Sequence, residues 1–397
     1  MKILMVIPYL ASVYGGPTKV VKELSYSLGQ LGISVDLITT DADGAQKLET
    51  PLQTWIDERY YRIQYFSCLH RNDLIFSLPL LIWLLKNIHA YDVVHTHNRF
   101  APLTLLTEGI CQLRQVPYIT TCHGMLEPWA LSYKAWKKRL YFSLLERPAL
   151  QNARVLHALT TAEASNIHLL KIPTPTTVIP NGIHCHEFAA LPDPAVFYQQ
   201  FPELRGKSLI LFLGRIDPKK GLDLLALAFA RVQAQFPETH LVIAGPDSIG
   251  FLPLARKFFA TAGCQEAVTF VGMLSGSLKQ AALAAASMYV APYYSEGFSM
   301  SVLEGMATGL PCVITTGCNF PEAATAGVAQ VVDIQANAIA DALLQLLQSP
   351  ADARAMGDRA RNYVFQNYTW HEIARKFEQV YAAIAAQKPL YRYRQID

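Results

Sequence analysis

The sequence predicts an α/β protein of two doubly wound domains that face each other across a cleft. Length is the first reason, because 397 residues exceed what one ordinary hydrophobic core holds together. The second reason is a repeated pattern. A strand, a glycine-containing turn, a helix and another strand follow one another near the start of the chain, and again near its middle. That succession is typical of parallel sheets with helices on both faces.

The first of these patterns begins almost at the N-terminus. Residues 3–7 are a continuous apolar run, as expected of a strand buried on both faces. Gly15 and Gly16 fall in the turn that follows, and apolar residues then recur at helical spacing until Gly32. Residues 34–39 (SVDLIT) form the next predicted strand.

The second pattern starts with a predicted strand at residues 209–213. A polar loop, GRIDPKKG (214–221), separates it from a helix that opens at residues 222–229, and residues 240–244 supply the next strand. Further strands are predicted at residues 92–95, 118–121, 155–158, 268–271, 288–291 and 312–315, and further helices at residues 336–348 and 369–387, where Thr369 is the expected N-cap.

A proline-rich linker separates the two predicted domains. Residues 171–182 (KIPTPTTVIPNG) contain three prolines and end in an Asn-Gly pair, a combination that interrupts regular structure. We place the boundary at Pro180, so that the first domain comprises residues 1–180 and the second comprises residues 181–368.

Charge and cysteine content exclude several classes of protein. A net charge of +3 is too small to indicate nucleic-acid binding. The seven cysteines include no CxxC pair, which favours reduced thiols and a cytoplasmic protein. The apolar N-terminus is short and runs into a glycine turn, so we interpret it as a buried strand and not as a signal peptide. Residues 74–88 are interrupted by Pro79 and Lys86, and no transmembrane segment is expected.

Two glutamates stand out in residues 293–309 (YYSEGFSMSVLEGMATG), which carry no other charge. Glu296 lies in the loop after a predicted strand, where open α/β sheets bind ligands. Glu304 falls in the first two turns of the next helix, which Ser299 or Ser301 can cap. Free N–H groups at a helix start suit phosphate, and carboxylates accept hydrogen bonds from sugar hydroxyls. The segment therefore indicates a ligand with both phosphate and sugar.

The loop GRIDPKKG supplies matching positive charge. Arg215 and Lys220 follow a strand and precede a helix start at Gly221. Two cations in a tight loop can neutralise a diphosphate. Gly15 and Gly16, after a strand of the first domain, can let the backbone approach the same phosphates closely.

The motifs GRIDPKKG and EGFSMSVLE (296–304), in this order, resemble those of retaining glycosyltransferase family 4. The resemblance implies the GT-B fold, in which two Rossmann-like domains face each other across a cleft and a C-terminal helix, here about 369–397, packs back on the first domain. The first domain would recognise the acceptor, and the second would hold a nucleoside-diphosphate sugar. Five further stretches carry the resemblance: GGPTKVV (15–21), DVVHTHN (92–98), TCHGM (121–125), PNGI (180–183) and GMATGLPCV (305–313).

The resemblance also implies roles for residues of the donor site. Arg215 and Lys220 would bind the donor diphosphate, Glu304 would hold the ribose hydroxyls, and Glu296 would contact the transferred sugar. The family often has glycine where this chain has Ser299, whose side chain would stand next to the phosphate. The remaining donor-binding residues implied near the phosphate and the sugar are Gly297, Phe298 and Ser299.

Two residues of the first domain complete the implied site. Gly16 would approach the donor phosphate, and His123 would lie near the reacting centre. The expected catalytic set is therefore His123 with Glu296, Arg215 and Lys220. The family transfers sugar with retention of configuration, and it normally needs no metal or other cofactor.

The stretches TCHGMLEPWALSYK (121–134) and GCNFPE (317–322) are most similar to those of bacterial exopolysaccharide and cell-surface glycan transferases. We expect transfer of a hexose from a UDP-sugar, with GDP-mannose as the second choice of donor, although no residue of a base pocket identifies the nucleotide. A glycan or a lipid-linked molecule is the expected acceptor.

A basic and aromatic stretch runs from Trp129 to Leu150. A helix of this composition can lie on an anionic membrane surface, and it can equally be an ordinary helix whose aromatic residues are core. The tail at residues 388–394 (KPLYRYR) adds to the basic character. The predicted location is cytoplasmic, with possible attachment to the inner face of the plasma membrane.

Two short motifs could be taken for metal sites. His95 and His97 share a face of a strand, but no carboxylate or cysteine group accompanies them, so structural or acceptor-binding use is favoured. Asp41 and Asp43 form a DxD triplet, which holds a divalent metal in the other major glycosyltransferase fold. Because the Arg–Lys loop already supplies positive charge, we interpret residues 41–44 as a turn.

Two alternative functions share the predicted fold. A nucleotide-sugar epimerase could have the GT-B architecture, although the GRIDPKKG and EGFSMSVLE motifs together are not expected in one. A non-catalytic scaffold that binds glycan would not need the four charged residues of those motifs to be intact.

Overall fold

The computed structural model describes residues 1–71, 74–126 and 140–386. These residues form two compact units. The first unit contains Met1–Gly182 together with the described residues from Trp370 onward, and the second unit contains Ile183–Thr369. The division therefore falls at the end of the proline-rich linker, next to the boundary predicted at Pro180.

The first unit is built on a parallel sheet. Its strands are β1 (Lys2–Val6), β2 (Ser34–Thr40), β3 (Ala42–Asp43), β4 (Gln46–Lys47), β5 (Trp55–Asp57), β6 (Arg62–Phe66), β7 (Leu69–Arg71), β8 (Leu74–Phe76), β9 (Val93–His97), β10 (Tyr118–Thr121), β11 (Val155–Ala158) and β12 (Thr176–Val178). Eight of them pair in the order β12-β11-β10-β9-β1-β2-β6-β5, and only β5 pairs antiparallel within this sheet. The winding of the sheet reverses between β1 and β9, as in doubly wound folds.

Helices cover both faces of this sheet. They are α1 (Gly16–Gln30), α2 (Leu78–Asn87), α3 (Pro102–Leu113), α4 (Arg147–Asn152), α5 (Thr161–Leu169) and, from the end of the chain, α15 (Trp370–Ala385). A π-helical turn, Phe142–Glu146, leads into α4. Along β1, Ile3 and Met5 pack into one core with α1 and α15, and Leu4 and Val6 pack into a second core with α2 and α3. Residues 3–6 of this strand are all apolar because both of its faces are covered.

The second unit repeats the plan. Its strands are β13 (Ser208–Leu213), β14 (Thr239–Ala244), β15 (Val268–Gly272), β16 (Met288–Ala291), β17 (Cys312–Thr315) and β18 (Gln330–Val332), paired in the order β15-β14-β13-β16-β17-β18. This all-parallel order is that of a Rossmann sheet, and its winding reverses between β13 and β16. Its helices are α6 (Cys185–Ala189), α7 (Ala195–Gln200), α8 (Leu222–Gln235), α9 (Leu252–Thr261), α10 (Gly276–Ala285), α11 (Met300–Ala307), α12 (Glu322–Thr325), α13 (Ala336–Gln348) and α14 (Pro350–Asn367).

The predicted α/β class and the two Rossmann-like units are confirmed, while some strands were not predicted. Strand β6 (RIQYF) is polar at alternate positions and lies beside β2, and β12 and β18 are three-residue strands at sheet ends. Short or polar strands of this kind carry little periodic signal, so the sequence does not distinguish them from loops.

In residues 1–71, 74–126 and 140–386, no helix combines the length and the apolar character that a membrane span requires.

A line of hydrogen bonds through the first unit attaches α15 to the sheet. The Tyr381 hydroxyl lies 2.6 Å from His95 Nδ1, and His95 Nε2 lies 2.6 Å from the Thr121 hydroxyl. That hydroxyl is 2.7 Å from His157 Nδ1, and His157 Nε2 is 2.7 Å from the carbonyl oxygen of Ile179. A carbonyl only accepts, so His157 Nε2 donates. With both histidines neutral, each group along the line donates to the next.

Burial accounts for this neutrality. It lowers the pKa of His95 well below the ordinary value of 6.5, and it lowers the pKa of His157 to about 4. His95 is thus a structural histidine, which is one of the two uses that the sequence favoured.

We expect these histidines to make stability depend on pH. Below pH 6.5, the ordinary histidine pKa, these side chains bind protons in the unfolded chain but stay neutral in the folded chain. The free energy of unfolding therefore decreases as pH falls from about 6.5 to about 4. The decrease is about 1.4 kcal/mol per pH unit for each such histidine. Urea unfolding followed by circular dichroism at pH 7, 6 and 5 measures it.

The matched variant is His157→Gln, whose amide can donate to Ile179 and accept from Thr121 without titrating. Its free energy of unfolding should decrease less steeply with falling pH. The slope should be smaller by the contribution of one histidine, about 1.4 kcal/mol per pH unit. Equal slopes for the variant and the wild type would show that His157 is not held neutral.

Candidate active site

The loop after β13 places Lys220 beneath a neighbouring strand end. Pro218–Lys220 form a 3-10 turn, which the Asp217 carboxylate caps by accepting a hydrogen bond from the Lys219 N–H at 3.0 Å. Gly221 follows with φ +66°, and a Cβ there would lie 1.9 Å from the carbonyl oxygen of Pro292. Only glycine allows this close approach of the two loops.

Lys220 is buried and forms an ion pair with Glu296. Its ammonium donates to the Glu296 carboxylate and lies 3.7 Å from the centroid of the Tyr293 ring. Burial opposes the charge on Lys220, but Tyr293 and Glu296 outweigh burial and raise its pKa. Burial also opposes the charge on Glu296, but Lys220 and then Lys219 outweigh it and lower the Glu296 pKa. Both partners are therefore charged.

Three hydrogen bonds fix the loop that carries Glu296. The Tyr293 hydroxyl donates to the carbonyl of Leu213 at 2.9 Å, and the Thr315 hydroxyl donates to the carbonyl of Tyr293 at 2.5 Å. The side-chain amide of Asn319 donates to the carbonyl of Glu296 at 2.6 Å. The loop after β16 is thus held by the ends of β13 and β17, which keeps Glu296 in place beside Lys220.

Helix α11 starts directly after this loop. Ser299 is its N-cap and accepts a hydrogen bond from the Val302 N–H at 3.4 Å, as the sequence predicted for this serine or Ser301. Gly297 and Phe298 lead into the cap, and the Phe298 ring stacks on that of Tyr368. The N–H groups of a first helical turn have no partner inside the helix, so this end of α11 offers donors and partial positive charge to an anion.

Glu304 has a partner that the sequence did not predict. It lies in the second turn of α11, and its Oε1 accepts a hydrogen bond from the ammonium of Lys279 at 2.8 Å. Lys279 belongs to α10. A lone lysine on a predicted helix gives no sequence signal for such a contact, since 25 residues separate the two positions.

Arg215 is exposed to solvent, in contrast to the buried Lys220. Its side chain is 54% exposed and contacts only the Asp217 carboxylate, at 3.7 Å, among the described residues. An exposed ion pair of this length contributes little to stability. The guanidinium can therefore turn toward an anion at the end of β13.

The corresponding edge of the first unit carries Gly16 and His123. Gly15 has φ +79° and Gly16 begins α1, and a Cβ on either would meet no atom within 4 Å. The backbone is open there, as required for close approach by a ligand. His123 follows β10 with φ +51°, and its Nε2 lies 3.2 Å from Nδ1 of His97. Burial, with a smaller effect of His157, lowers the pKa of His123 to about 3.

Strained and unpartnered groups concentrate at this edge. Asn98 and Phe100, after β9, share the positive φ of His123, which is costly for residues other than glycine. Neither side-chain atom of Asn98 nor Nε2 of His97 has a hydrogen-bond partner among the described residues. Such strain and unpaired polarity are typical of functional positions. Neither can be found from the residue types alone.

A buried ion cluster supports that edge. Arg99 donates to Glu108 at 2.5 Å and also to Glu146, and the Glu146 carboxylate accepts the N–H of Phe100 at 2.7 Å. All three charged side chains are fully buried. Burial raises the pKa of Glu146. Removing Arg99 would leave two carboxylates unpaired in the core. The cluster thus holds the backbone that follows β9 through the bond from Phe100 to Glu146.

The possible metal motifs are otherwise engaged. Asp41 is buried, accepts the Cys68 N–H at 2.9 Å and lies 3.5 Å from the Lys47 ammonium. Residues 42–47 form the β3–β4 hairpin, so the interpretation of residues 41–44 as a turn holds in part: the turn is at Gly44. Among the described residues, no group of three histidine, cysteine or carboxylate side chains could hold a metal ion.

The two clusters of polar residues occupy equivalent places. Each lies at the carboxyl ends of the strands where the winding of its sheet reverses, which is where open α/β sheets bind ligands. Two Rossmann-like units of this kind define the GT-B class of glycosyltransferases.

Comparison with known proteins gives the family. The model of glycosyltransferase family 4 matches residues 14–187, and that of the group 1 glycosyl transferases matches residues 197–363. The chain belongs to glycosyltransferase family 4. It is 27% identical over 382 residues to a D-inositol 3-phosphate glycosyltransferase of Kribbella flavida, covering 90% of this chain and 88% of that protein.

Solved structures share the fold. The sucrose-phosphate synthase of Thermosynechococcus elongatus superposes with a TM-score of 0.77 at 24% identity, covering 98% of this chain and all of that one. Anabaena Alr3699/HepE in complex with UDP and glucose gives a TM-score of 0.73 at 17% identity, covering 96% of this chain and all of that one.

Proposed function

We propose that this glycosyltransferase moves a hexose from a nucleoside-diphosphate sugar with retention of configuration, and that the second unit holds the donor. The observation that carries the proposal is the Lys220–Glu296 ion pair at the reversal point between β13 and β16. A buried pair is weak evidence for a stabilising role, because desolvation offsets most of its attraction. A pair held where such sheets bind ligands is better explained as a binding device.

The positive groups of this site would bind the diphosphate of the donor. Lys220 would exchange one anion for another when a phosphate displaces the Glu296 carboxylate. Arg215 is exposed enough to reach the same phosphate, and the first turn of α11 would add N–H donors around Gly297, Phe298 and Ser299. These groups would stabilise the negative charge that develops on the leaving diphosphate, which is electrostatic catalysis.

The two glutamates would take the sugars of the donor. Glu296, once released by Lys220, can accept hydrogen bonds from hydroxyls of the transferred hexose. Glu304 would accept from the ribose hydroxyls. This division is the one that the resemblance to the family implies, and both residues lie where it needs them: Glu296 precedes α11 and Glu304 is in its second turn.

The donor proposed first is a UDP-sugar, and GDP-mannose is second. The Anabaena protein of the same fold is described with UDP and glucose, which supports uridine without deciding it. We propose that no metal is needed, since Arg215, Lys220 and the helix start already provide positive charge for the diphosphate.

The first unit would contribute to catalysis and take the acceptor. We propose that Gly16 approaches the donor phosphate and that neutral His123 contacts the reacting sugar. Its pKa of about 3 makes it a hydrogen-bonding group and not a cation at neutral pH. The acceptor proposed is a glycan or a lipid-linked molecule in exopolysaccharide or cell-surface polysaccharide synthesis.

The proposed donor site should bind a nucleoside diphosphate. Calorimetric titration of UDP, GDP and ADP in the presence of EDTA should show metal-free binding, tightest for UDP. Lys220→Ala should weaken it at least about tenfold, because a hydrogen bond to a charged group contributes about 1.5–3 kcal/mol. Lys257→Ala, which removes an exposed lysine of α9, is the matched control and should bind like the wild type.

Two results would count against the proposal. Binding that requires magnesium would mean that the cations of the loop do not neutralise the diphosphate. No binding of any nucleotide would favour the non-catalytic scaffold, which should also fail to hydrolyse a donor sugar slowly in the absence of acceptor. A nucleotide-sugar epimerase would instead convert the sugar without releasing it.

We also propose peripheral contact with an anionic membrane through residues 129–150. Residues 129–139 and the tail 388–394 lie outside the described residues. The described remainder supports the proposal through three leucines that expose large fractions of their side chains, namely Leu140 (56%), Leu144 (64%) and Leu145 (49%). Exposed apolar side chains beside basic residues suit a membrane interface.

We therefore expect the protein to sediment with phosphatidylglycerol vesicles and much less with phosphatidylcholine vesicles. Replacing Leu140, Leu144 and Leu145 by Ser should reduce sedimentation severalfold, because less apolar surface is buried. Leu227→Ser, an equally exposed leucine of α8, serves as control. Equal sedimentation of the triple variant and the wild type would refute contact through this segment.

A further inference from the structure

The contact between Lys279 and Glu304 joins two separate helices. Lys279 lies in the first turns of α10, and its ammonium reaches Oε1 of Glu304 in α11 at 2.8 Å. The lysine side chain is 26% exposed and the glutamate side chain 11% exposed, so the pair stands at the rim of the site.

Glu304 needs this partner because of its surroundings. Its neighbours on α11, from Val302 to Ala307, are all buried, and a carboxylate in such a place is costly unless it is paired. The lysine therefore pairs the carboxylate and keeps it oriented. Without it, Glu304 would be free to rotate.

The pair leaves complementary groups unused. Oε2 of Glu304 has no hydrogen-bond partner among the described residues, and an ammonium has three N–H donors, of which Glu304 takes one. One free acceptor and two free donors thus lie side by side. A hydroxyl both donates and accepts, so two adjacent hydroxyls fit this arrangement better than a phosphate, which only accepts.

We propose that Lys279 is a positioning residue for nucleoside recognition: it holds Glu304 so that Oε2 accepts from a ribose hydroxyl, and its remaining N–H groups donate to the same vicinal diol. This inference rests on the proposed function and names the part of the donor that α10 recognises. Lys279 acts on the ribose and not on the diphosphate, which Lys220 and Arg215 take.

The test compares UDP with 2′,3′-dideoxy-UDP, which keeps the base and the diphosphate but lacks the diol. Calorimetry should show that the wild type binds UDP at least tenfold more tightly than the dideoxy compound. In Lys279→Met, UDP affinity should fall about tenfold, while dideoxy-UDP affinity should change less than twofold. Lys279→Arg, which keeps charge and donors, should restore much of the preference.

Two controls separate this role from others. Lys257→Met removes an exposed lysine of the same unit and should leave both affinities unchanged. Glu304→Gln should lose most of the preference for UDP, and Lys279→Met should cause a smaller loss in this variant than in the wild type, because the lysine acts in part through the glutamate.

Each outcome is decisive. Equal weakening of UDP and dideoxy-UDP in Lys279→Met would overturn the inference, since it would indicate a general effect of charge on the diphosphate. A wild type that binds UDP and dideoxy-UDP equally would also overturn it, yet would leave the proposed function standing. A wild type that binds none of UDP, GDP and ADP would end both. If GDP binds in place of UDP, GDP and 2′,3′-dideoxy-GDP form the matched pair.

Discussion

The pairing of Lys220 with Glu296 is the constraint on which the rest of the proposed donor site depends. The two charges are buried against Tyr293, and each shifts the pKa of the other toward the charged form. Either charge would be costly in this place without a partner. Gly221 makes the contact possible by letting the loops after β13 and β16 approach closely, and Asn319 holds the backbone of Glu296. In the proposed function, a donor would replace the contacts of both partners: phosphate for the lysine and sugar for the glutamate.

The same principle of paired buried charge operates throughout the molecule. In the second unit, Lys279 satisfies Glu304. In the first, Arg99 joins Glu108 and Glu146 beneath the strained backbone after β9. In each case a charged group in an apolar setting is held by a partner from another element, which fixes the position of a sheet edge where ligands are expected.

The sequence was sufficient for features that depend on local pattern. Fully apolar strands such as β1 and β16 were predicted close to their bounds, since burial on both faces leaves a continuous signal. Lys220, Glu296 and the Ser299 cap follow from motifs within single loops. The partners from distant elements could not be predicted, because only the fold brings Lys279 to Glu304 or Glu146 to Arg99. The left-handed backbone of Asn98 and His123 likewise depends on packing and not on residue type.

The central claim is that the Glu296 carboxylate and the donor phosphate compete for the ammonium of Lys220. UDP has a diphosphate but no hexose. It can therefore bind Lys220 through a phosphate, and it has no sugar hydroxyl to donate to Glu296. Calorimetry with Glu296→Gln should therefore show UDP affinity at least equal to that of the wild type, because the lysine no longer has to leave a carboxylate, while Lys220→Met should bind UDP much more weakly. A loss of UDP affinity in Glu296→Gln as large as that in Lys220→Met would contradict the account.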